Sequence, residues 1–204
     1  MEKLASQSSL DPELILNAYR NGLFPMAEGK TGEVEFFYYE PRGIIPLDER
    51  FRVRRSLKKI IDKKQFTIKF DTAFEEVIRA CSRHDRLPEE GIWLSEEMIR
   101  IYCELHRNGY AHSVEVWEKQ ELIGGLYGIV VGSAFCGESM FSRKEFASQV
   151  ALVFLVEHLR TQGFTLLDAQ MESEHLRQFG MYSVTQTEYL QLLGEALQKN
   201  IFWS

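Results

Sequence analysis

The sequence predicts an α+β fold with a small N-terminal lobe, residues 1–48, and a larger body, residues 49–204. Three observations predict this fold. The 204 residues are 45% hydrophobic and 26% charged, which is typical of a globular protein of one or two domains. Residues 22–48 are rich in Gly, Pro and aromatic residues, which favours irregular structure and short strands. From residue 65 onward, hydrophobic periodicity alternates regularly between strand and helix patterns.

The N-terminal lobe is expected to begin with one helix. Asp11 is a suitable N-cap, Pro12 occupies the first helical position and Gly22 follows the last turn. These three residues predict a helix over about 12–21. The stretch that follows the helix is expected to supply the short strands of the lobe and the connection to the body.

The first half of the body is expected to contain strands and two helices. Alternating polar and apolar residues predict the strands, and apolar residues at helical spacing predict the helices. Asp71 and Ser95 are the predicted N-caps, and Gly109 ends the second helix. The predicted elements are a strand over 65–70, helices over 71–82 and 95–109, and antiparallel strands over 112–117, 122–132 and 133–142.

Two capping boxes mark helices in the second half of the body. Ser142 with Glu145, and Thr185 with Glu188, fit the pattern in which two side chains reciprocally cap the backbone N–H groups at a helix start. The predicted elements are a long helix over about 143–162, a buried strand over 164–170, a short helix ending at Gly180, a strand over 181–185 and a last helix.

Several classes of protein are not expected from the composition. No apolar run approaches the roughly 18–20 residues that span a bilayer, so no membrane partner is expected. The first residues lack the apolar core of a signal peptide. Cys81, Cys103 and Cys136 are odd in number and far apart, so neither a disulfide framework nor a metal site is expected. These features fit a cytoplasmic protein.

The net charge of −6 hides an uneven distribution. Residues 50–64, called the basic segment below, contain eight Lys and Arg residues and one acid, a local charge of +7, so the rest of the chain carries −13. Such a segment suits nucleic-acid phosphates because each contact releases condensed counterions, although a solvated helix face would have the same composition. The expected phosphate contacts are Arg50, Arg52, Arg54, Arg55, Lys58 and Lys59.

Three polar side chains are candidates for chemistry. Glu138 interrupts an apolar strand, and because an unpaired buried carboxylate is costly it has either a cationic partner or a place in a cleft. Asp168 and Gln170 end a buried strand and, two residues apart, point to the same face. They could orient an attacking amine and receive its proton, or form a structural hydrogen-bonded pair. Gly124 and Gly125 inside a strand indicate a bulge or the close approach of a ligand.

The order of elements from residue 65 resembles the acyltransferase fold of the GCN5-related N-acetyltransferases, called GNAT-like below. Enzymes of that fold hold the pyrophosphate of acetyl-CoA with backbone N–H groups of a glycine-rich turn before the long helix. In this sequence no glycine occurs between Gly137 and Gly163. A standard acetyl-CoA site is therefore not expected, and no cofactor is predicted.

Collinear motifs run through the chain: GLFPM (22–26), EPR (40–42), GIWL (91–94), LHRNGYAHSVEVW (105–117), LIGGLYG (122–128), FCGESMFSR (135–143) and LLDAQ (166–170). Together they resemble the leucyl/phenylalanyl-tRNA protein transferase family over about residues 10–190. Enzymes of this family move Leu or Phe, and Met less well, from aminoacyl-tRNA to proteins that begin with Arg or Lys. The product enters the N-degron degradation pathway. Their catalytic domain is GNAT-like, with aminoacyl-tRNA replacing acyl-CoA, which accounts for the missing glycine-rich turn.

The resemblance implies roles for individual residues. Asp168 and Gln170 match the proposed catalytic pair, with Asp168 acting through Gln170 on the attacking amine. Glu138 matches an acid that meets the cationic acceptor, and Trp93 matches an aromatic residue that packs on the terminal adenosine of the tRNA. The wall of the pocket for the transferred side chain is matched by Leu126, Phe135, Met140 and Leu167.

One motif departs from the family pattern. The family's Trp-Trp-Ser-Pro-Asp-Pro-Arg aligns with FFYYEPR at 36–42, so Phe37 replaces a Trp that stacks on the adenine. Any aromatic face can stack on a base, at roughly 1–3 kcal/mol, and Phe36, Tyr38 and Tyr39 are adjacent aromatic residues. The resemblance also implies a monomer without cofactor or metal.

Three other functions are compatible with parts of the sequence. An acetyl-CoA-dependent N-acetyltransferase would share the fold, and a tRNA-dependent peptidoglycan aminoacyltransferase would share the fold and the tRNA. A non-catalytic RNA-binding module would explain the basic segment, but not Glu138, Asp168 and Gln170 together. Binding of acetyl-CoA, or transfer to cell-wall precursors, would identify the two enzyme alternatives.

Overall fold

The computed structural model describes residues 2–6, 10–27, 33–83 and 94–204, which form two β-sheets and their helices. The larger sheet contains both parallel and antiparallel pairs, so the α+β class predicted from the sequence is confirmed. No helix within these ranges is both long and apolar enough to cross a bilayer. Cys81, Cys103 and Cys136 carry free thiols.

The small sheet has the strand order β1-β3-β2, with antiparallel neighbours. Its strands are β1 (Glu2–Ser6), β2 (Phe24–Ala27) and β3 (Val34–Tyr38). Helix α1 (Pro12–Arg20) lies between β1 and β2 in the chain, which confirms the predicted first helix. The Asp11 carboxylate caps it by accepting a hydrogen bond from the N–H of Leu14 at 2.8 Å. Gly22 follows with a φ of +77°, a conformation that favours glycine.

The large sheet has the strand order β10-β4-β9-β8-β7-β6-β5, and only β8 and β9 are parallel among the neighbours in this sheet. The strands are β4 (Arg42–Ile45), β5 (Thr67–Phe70), β6 (Ala111–Glu118), β7 (Glu121–Val131), β8 (Ala134–Ser142), β9 (Leu166–Gln170) and β10 (Tyr182–Val184). Residues 42–45, which the sequence assigned to the N-terminal lobe, thus lie inside the large sheet. β4 pairs with β9 on one side and with β10 on the other.

Helices cover both faces of the large sheet. The helices are α2 (Arg55–Asp62), α3 (Phe74–Arg83), α4 (Glu96–Arg107), α5 (Ala147–Gln162), α6 (Glu174–Arg177) and α7 (Gln186–Leu197). Side chains of α5 and α2 belong to one apolar core, and those of α1, α3 and α4 to the other. β7 supplies both cores, because Leu126 belongs to the α5 core and the next residue, Tyr127, packs against α3 and α4.

The predicted role of Asp71 as the N-cap of α3 is wrong. Asp71 has a φ of +59°, and its carboxylate accepts a hydrogen bond from the N–H of Ser113 on β6 at 2.8 Å. The N–H groups of Thr72 and Ala73, at the start of α3, each donate at 3.0 Å to the carboxylate of Glu115. This fully buried acid on β6 caps the helix from a distant part of the chain, so no local pattern reveals it.

The predicted capping box of Ser142 and Glu145 is also wrong. Helix α5 begins at Ala147, after Phe146 adopts a left-handed φ of +68°. The hydroxyl of Ser142 still contributes to the helix start, because it accepts a hydrogen bond from the N–H of Ser148 at 2.8 Å. The bond spans six residues rather than three, since the chain makes an extra turn between β8 and α5.

Two other predicted caps are confirmed. The Ser95 hydroxyl accepts a hydrogen bond from the N–H of Met98 at 3.2 Å, at the start of α4. Thr185 and Glu188 form both hydrogen bonds of a capping box at the start of α7. In both cases the donor and the acceptor are three residues apart, so sequence spacing alone identifies them.

Gly124 and Gly125 are explained by close packing within the protein. A Cβ atom on Gly124 would lie 2.4 Å from the Cβ of Ala147 at the start of α5. A Cβ atom on Gly125 would lie 2.7 Å from the carbonyl oxygen of Val114. Glycine at these positions lets β6, β7 and α5 approach one another, and the approach of a ligand is not needed to explain it.

The C-terminal residues pack against the α5 core. The Trp203 ring lies 4.5 Å from the ring of His112, 4.3 Å from that of His158 and 5.6 Å from that of Phe135. Ser204 donates a hydrogen bond at 2.9 Å to the side-chain oxygen of Gln162, the last residue of α5. The tail therefore supports Phe135 from the side of the sheet on which α5 lies.

We expect Glu115→Gln to lower the free energy of unfolding by about 2 kcal/mol or more, because an amide cannot accept all the hydrogen bonds that Thr72, Ala73 and Ser113 donate to the carboxylate. Urea unfolding followed by circular dichroism measures the effect. Glu121→Gln replaces an exposed acid at the start of β7, and should change stability by no more than about 0.5 kcal/mol. Equal stability of the two variants would contradict the capping role.

Candidate active site

A cavity of about 290 Å³ opens where β8 and β9 separate. The strands pair in parallel as far as Cys136 and Asp168, and β8 then continues alone against β7. The space between the diverging strands is lined by apolar side chains on the α5 side and by polar groups near the ends of the pairing. The apolar lining consists of Ile45, Leu126, Met140, Leu152, Leu155, Leu167, Ala169 and Leu176.

Three of the four residues predicted for the apolar pocket line this cavity: Leu126, Met140 and Leu167. Phe135, the fourth, is fully buried and lies behind the wall, with its ring stacked on that of Trp203. Its ring occupies the space above Gly128, where a Cβ atom would lie 2.3 Å from it. Phe135 thus supports the lining residues rather than facing the cavity.

Asp168 is fully buried in an ion pair with Arg42, which is also fully buried. Nε and Nη2 of Arg42 donate to the two carboxylate oxygens at 2.9 and 2.6 Å. The Tyr189 hydroxyl donates at 2.8 Å, and the backbone N–H of Gln170 donates at 2.8 Å. The guanidinium carbon lies 4.3 Å from the Tyr189 ring and 5.1 Å from that of Phe24. Asp168 therefore has its acceptor sites occupied by the protein and fixes its neighbours.

Glu138 is the extra residue of a β-bulge between β7 and β8. Gly128 pairs with Gly137, and the preceding Tyr127 pairs with Ser139, so Glu138 has no partner on β7. A bulge re-aims a side chain, which is why bulges are frequent beside active sites. Here the bulge places Glu138 on the lining of the cavity, so the cleft predicted for this acid is present.

Glu138 accepts hydrogen bonds from two sides. The side-chain N–H of Gln170 donates to one carboxylate oxygen at 2.6 Å, and the Tyr102 hydroxyl donates to the other at 3.2 Å. The Tyr102 and Tyr19 hydroxyls are 2.7 Å apart. The structure thus joins Glu138, Asp168 and Gln170 into one connected group, in which Gln170 contacts both acids, through its backbone and through its side chain.

Burial raises the pKa of Glu138 from its ordinary 4.5 to about 7, while hydrogen bonds from Tyr19, Tyr102 and Gln170 oppose the shift and the nearby Asp168 charge adds to it. A carboxyl group with a pKa near neutrality can both accept and release a proton at physiological pH. Burial also raises the pKa values of Tyr19 and Tyr102 well above 10, so both phenols stay protonated and act as hydrogen-bond donors.

Four residues of this network have no role that was predicted from the sequence: Arg42, Tyr19, Tyr102 and Tyr189. Arg42 belongs to the EPR motif, and its position next to the aromatic residues 36–39 was the one feature of the sequence that could have indicated a role. The tyrosines occur at apolar positions of helices α1, α4 and α7, where the sequence pattern indicates core packing. Their hydroxyl partners lie far away in the chain.

The basic segment is exposed over most of its length. Helix α2 is anchored by buried Leu57, which leaves its cationic side chains in solvent. Arg50 forms an ion pair with Asp48 at 2.7 Å and lies over the Tyr182 ring. No ion pair with another described residue is formed by Arg52, Arg54, Arg55, Lys58 or Lys59.

The aromatic residues predicted to stack on adenosine are only partly described. Trp93 lies outside the described residues. Phe36 is 4% exposed and belongs to the core, so it is not available for stacking. Phe37, Tyr38 and Tyr39 are partly exposed at the end of β3, and the stacking role of Phe37 stays a prediction.

One cluster of metal-ligating residue types occurs in the described part of the chain: Asp71, His106 and His112. Their atoms already have protein partners. His112 Nδ1 lies 2.8 Å from Asp71, Asp71 accepts the N–H of Ser113, and His106 Nδ1 lies 2.8 Å from the carbonyl oxygen of Ala111. These contacts connect β6 to the turn before α3, so the cluster has a structural role.

Comparison with known proteins identifies a related family. The family model described as leucyl/phenylalanyl-tRNA protein transferase matches residues 44–194, and a model for the N-terminal domain of the same family matches residues 8–42. A leucyl/phenylalanyl-tRNA protein transferase of Akkermansia muciniphila is 50% identical over 190 residues, which cover 93% of this chain and 97% of that one. The protein of the same description from Herpetosiphon aurantiacus is 49% identical over 189 residues, or 93% of this chain and 95% of that one.

Among solved structures, the chain is similar to L-PGS from Bacillus licheniformis. The superposition has a TM-score of 0.47 with 14% sequence identity. It covers 78% of this chain and 65% of the other chain.

We expect the stability of the protein to fall relative to that of Glu138→Gln as pH rises from about 4.5 to about 7. In this window the unfolded chain has lost the Glu138 proton while the folded protein retains it, so folding becomes less favourable, by about 3 kcal/mol in total. Urea unfolding of both proteins at several pH values measures the difference. A difference that stays constant with pH would contradict the raised pKa.

Proposed function

The chain belongs to the leucyl/phenylalanyl-tRNA protein transferase family, and from this premise we propose that it transfers Leu or Phe, and Met less well, from charged tRNA to proteins that begin with Arg or Lys. The observation that carries the proposal is the apolar cavity with Glu138 and Gln170 at its polar end. The transfer would mark the acceptor for degradation through the N-degron pathway. We propose that the enzyme acts as a monomer in the cytoplasm.

The cavity is suited to the side chain of the transferred amino acid. The side chains on its apolar side carry no hydrogen-bonding group, so that side favours a hydrophobic side chain over a polar one. Because one methylene in such a pocket is worth only about 1–3 kcal/mol, Leu, Phe and Met should all be accepted. Branching at Cβ, as in Ile and Val, changes the shape near the narrow end of the strands and should reduce acceptance.

The chemistry needs a neutral amine, a well-placed ester and a destination for one proton. The nitrogen of the acceptor attacks the ester carbonyl carbon, the new C–N bond forms, and the bond to the ribose oxygen breaks. Glu138, with a pKa near 7, can accept the proton that the amine loses, and the leaving ribose oxygen takes up a proton in turn. The negative charge of ionised Glu138 also attracts the cationic N-terminal residue of the acceptor.

Asp168 acts through Gln170 in this proposal. The buried ion pair with Arg42 occupies Asp168, so it is a positioning residue that holds the backbone N–H of Gln170. Gln170 then directs its amide toward Glu138 and the attacking amine. The backbone of Gln170 has a φ of +58°, which the hydrogen bond from its N–H to Asp168 helps to maintain.

The proposal includes a GNAT-like fold that uses tRNA rather than acetyl-CoA. The parallel pair β8–β9 and the cavity at its divergence agree with such a fold. At the start of α5, where acetyl-CoA would place its pyrophosphate, the first two N–H groups are in use. The N–H of Ala147 donates to the carbonyl of Lys144, and that of Ser148 to the Ser142 hydroxyl. Ala147 also fills the space above Gly124.

A transfer assay tests the activity and the roles of Glu138 and Gln170. Wild-type protein should move radiolabelled Leu or Phe from charged tRNA to a peptide that begins with Arg, and an acetylated peptide should stay unlabelled. Glu138→Gln and Gln170→Ala should lower kcat by about 10²-fold with little change in KM for tRNA, because neither residue lies in the basic segment. Gln198→Ala, at an exposed residue directly after α7, is the control. Normal kcat in either active-site variant would contradict its role.

The salt dependence of tRNA binding tests the basic segment. Replacing Arg55, Lys58 and Lys59 together by Ala should reduce the slope of log K against log salt by about 2–3, since each phosphate contact contributes roughly 0.7–0.9. A triple variant of exposed residues elsewhere, Arg100, Arg107 and Lys199, should keep the wild-type slope. Filter binding at several salt concentrations measures both. Equal slopes in the two triple variants would assign the phosphate contacts to another surface.

A further inference from the structure

The open end of the cavity lies beside the start of the basic segment. His175 lines the cavity and is also exposed, so it stands at the mouth. The ring of Phe179 lies 6.4 Å from that of His175 on one side and is stacked at 5.7 Å on the ring of Phe51 on the other. The N–H of Arg52 donates to the Phe179 carbonyl at 3.0 Å. Phe51 and Arg52 are thus packed against the mouth.

This arrangement is held by close backbone and core contacts. Gly180 has a φ of +92°, and a Cβ atom there would lie 2.3 Å from the carbonyl oxygen of Arg50. Leu57 of α2 is buried in the same core as Leu176 and Phe179. The position of the basic segment relative to the cavity mouth is therefore fixed by buried groups, and does not depend on mobile surface side chains.

In the chain, Arg54 lies between Arg52, which contacts Phe179 at the mouth, and Arg55, the first residue of α2. Arg54 is the N-cap residue of α2, it is exposed, and the first turn of the helix contains no acid. Partial burial lowers the pKa of His175 and the positive charge of Arg54 lowers it further, so the Arg54 charge acts on the ring at the mouth. Within the described ranges, Arg54 has no ion-pair partner. An anion at the mouth would supply one.

We propose that Arg54 and His175 form a subsite for the phosphate on the 5′ side of the terminal nucleoside of the charged tRNA. The inference rests on the proposed function, because the aminoacyl group must occupy the cavity for the terminal ribose and its phosphate to lie at the mouth. The ester on the ribose and this phosphate are separated by a single sugar. Arg55, Lys58 and Lys59, further along the segment, then contact more distant phosphates.

Binding of two stable donor analogues distinguishes a specific phosphate subsite from general electrostatic attraction. Both carry phenylalanine joined to the 3′ position of adenosine by an amide instead of the ester, and one also carries a 5′-phosphate. Isothermal calorimetry should show that wild-type protein binds the phosphorylated analogue about tenfold more tightly, as expected for one charge-assisted contact. Arg54→Ala should remove this preference and leave the Kd of the unphosphorylated analogue unchanged. His175→Ala should reduce the preference.

A conservative variant and a control variant complete the experiment. Arg54→Lys should retain most of the preference, and Arg107→Ala, which removes an exposed cation outside the basic segment, should retain all of it. Equal Kd values for the two analogues in wild-type protein would overturn the subsite while leaving the proposed function intact. A loss of affinity for both analogues in Arg54→Ala would also overturn it, since it would indicate a structural role. If neither analogue binds, the proposed use of the cavity fails and the subsite fails with it.

Discussion

The active-site geometry depends on one interaction, the buried ion pair between Arg42 and Asp168. Two charges removed from water are tolerated only when their hydrogen-bonding capacity is satisfied, and here Arg42, Tyr189 and the Gln170 N–H together surround the carboxylate. Burial lowers the pKa of Arg42, but the charge and hydrogen bonds of Asp168, with smaller effects of Tyr189 and Cys136, together raise it by more, so the guanidinium stays charged. Together with Tyr189 the pair ties β4 and β9 to α7, and removing either partner leaves an uncompensated charge in the core.

The ion pair has consequences that extend to the cavity. Because Asp168 holds the N–H of Gln170, the Gln170 side chain is directed toward Glu138 on the neighbouring strand. The parallel pairing ends at Asp168, so the same residue marks the point where β8 and β9 separate. One buried carboxylate thus sets both the polar end of the cavity and the position of the opening. The bulge at Glu138 completes the arrangement from the β8 side.

Sequence patterns predicted the hydrogen bonds between residues that are close in the chain. They did not predict hydrogen bonds between residues that are far apart in the chain. The capping box at Thr185 needs residues three positions apart, and it is present as predicted. The cap of α3 comes from Glu115, which is 42 or 43 positions from the N–H groups that it accepts, and sequence spacing carries no trace of that contact. Glu138, Asp168 and Gln170 were identifiable because polar residues interrupt apolar strands. Arg42 could not be identified in this way, because its partner Asp168 is 126 positions away in the chain.

The division of charge over the surface follows from the same constraint. The site itself must keep its charges balanced, because it is buried, so it cannot supply the attraction that a polyanionic donor requires. That attraction falls to the exposed basic segment, which the buried side chain of Leu57 fixes against the body. Phosphate contacts position a nucleic acid without reading its sequence, and an apolar cavity separates similar side chains only weakly. In the proposed reaction, selectivity for the donor therefore has to come from two requirements together. The hydrophobic aminoacyl group must fit the cavity, and the terminal nucleoside must fit the mouth of the same cavity.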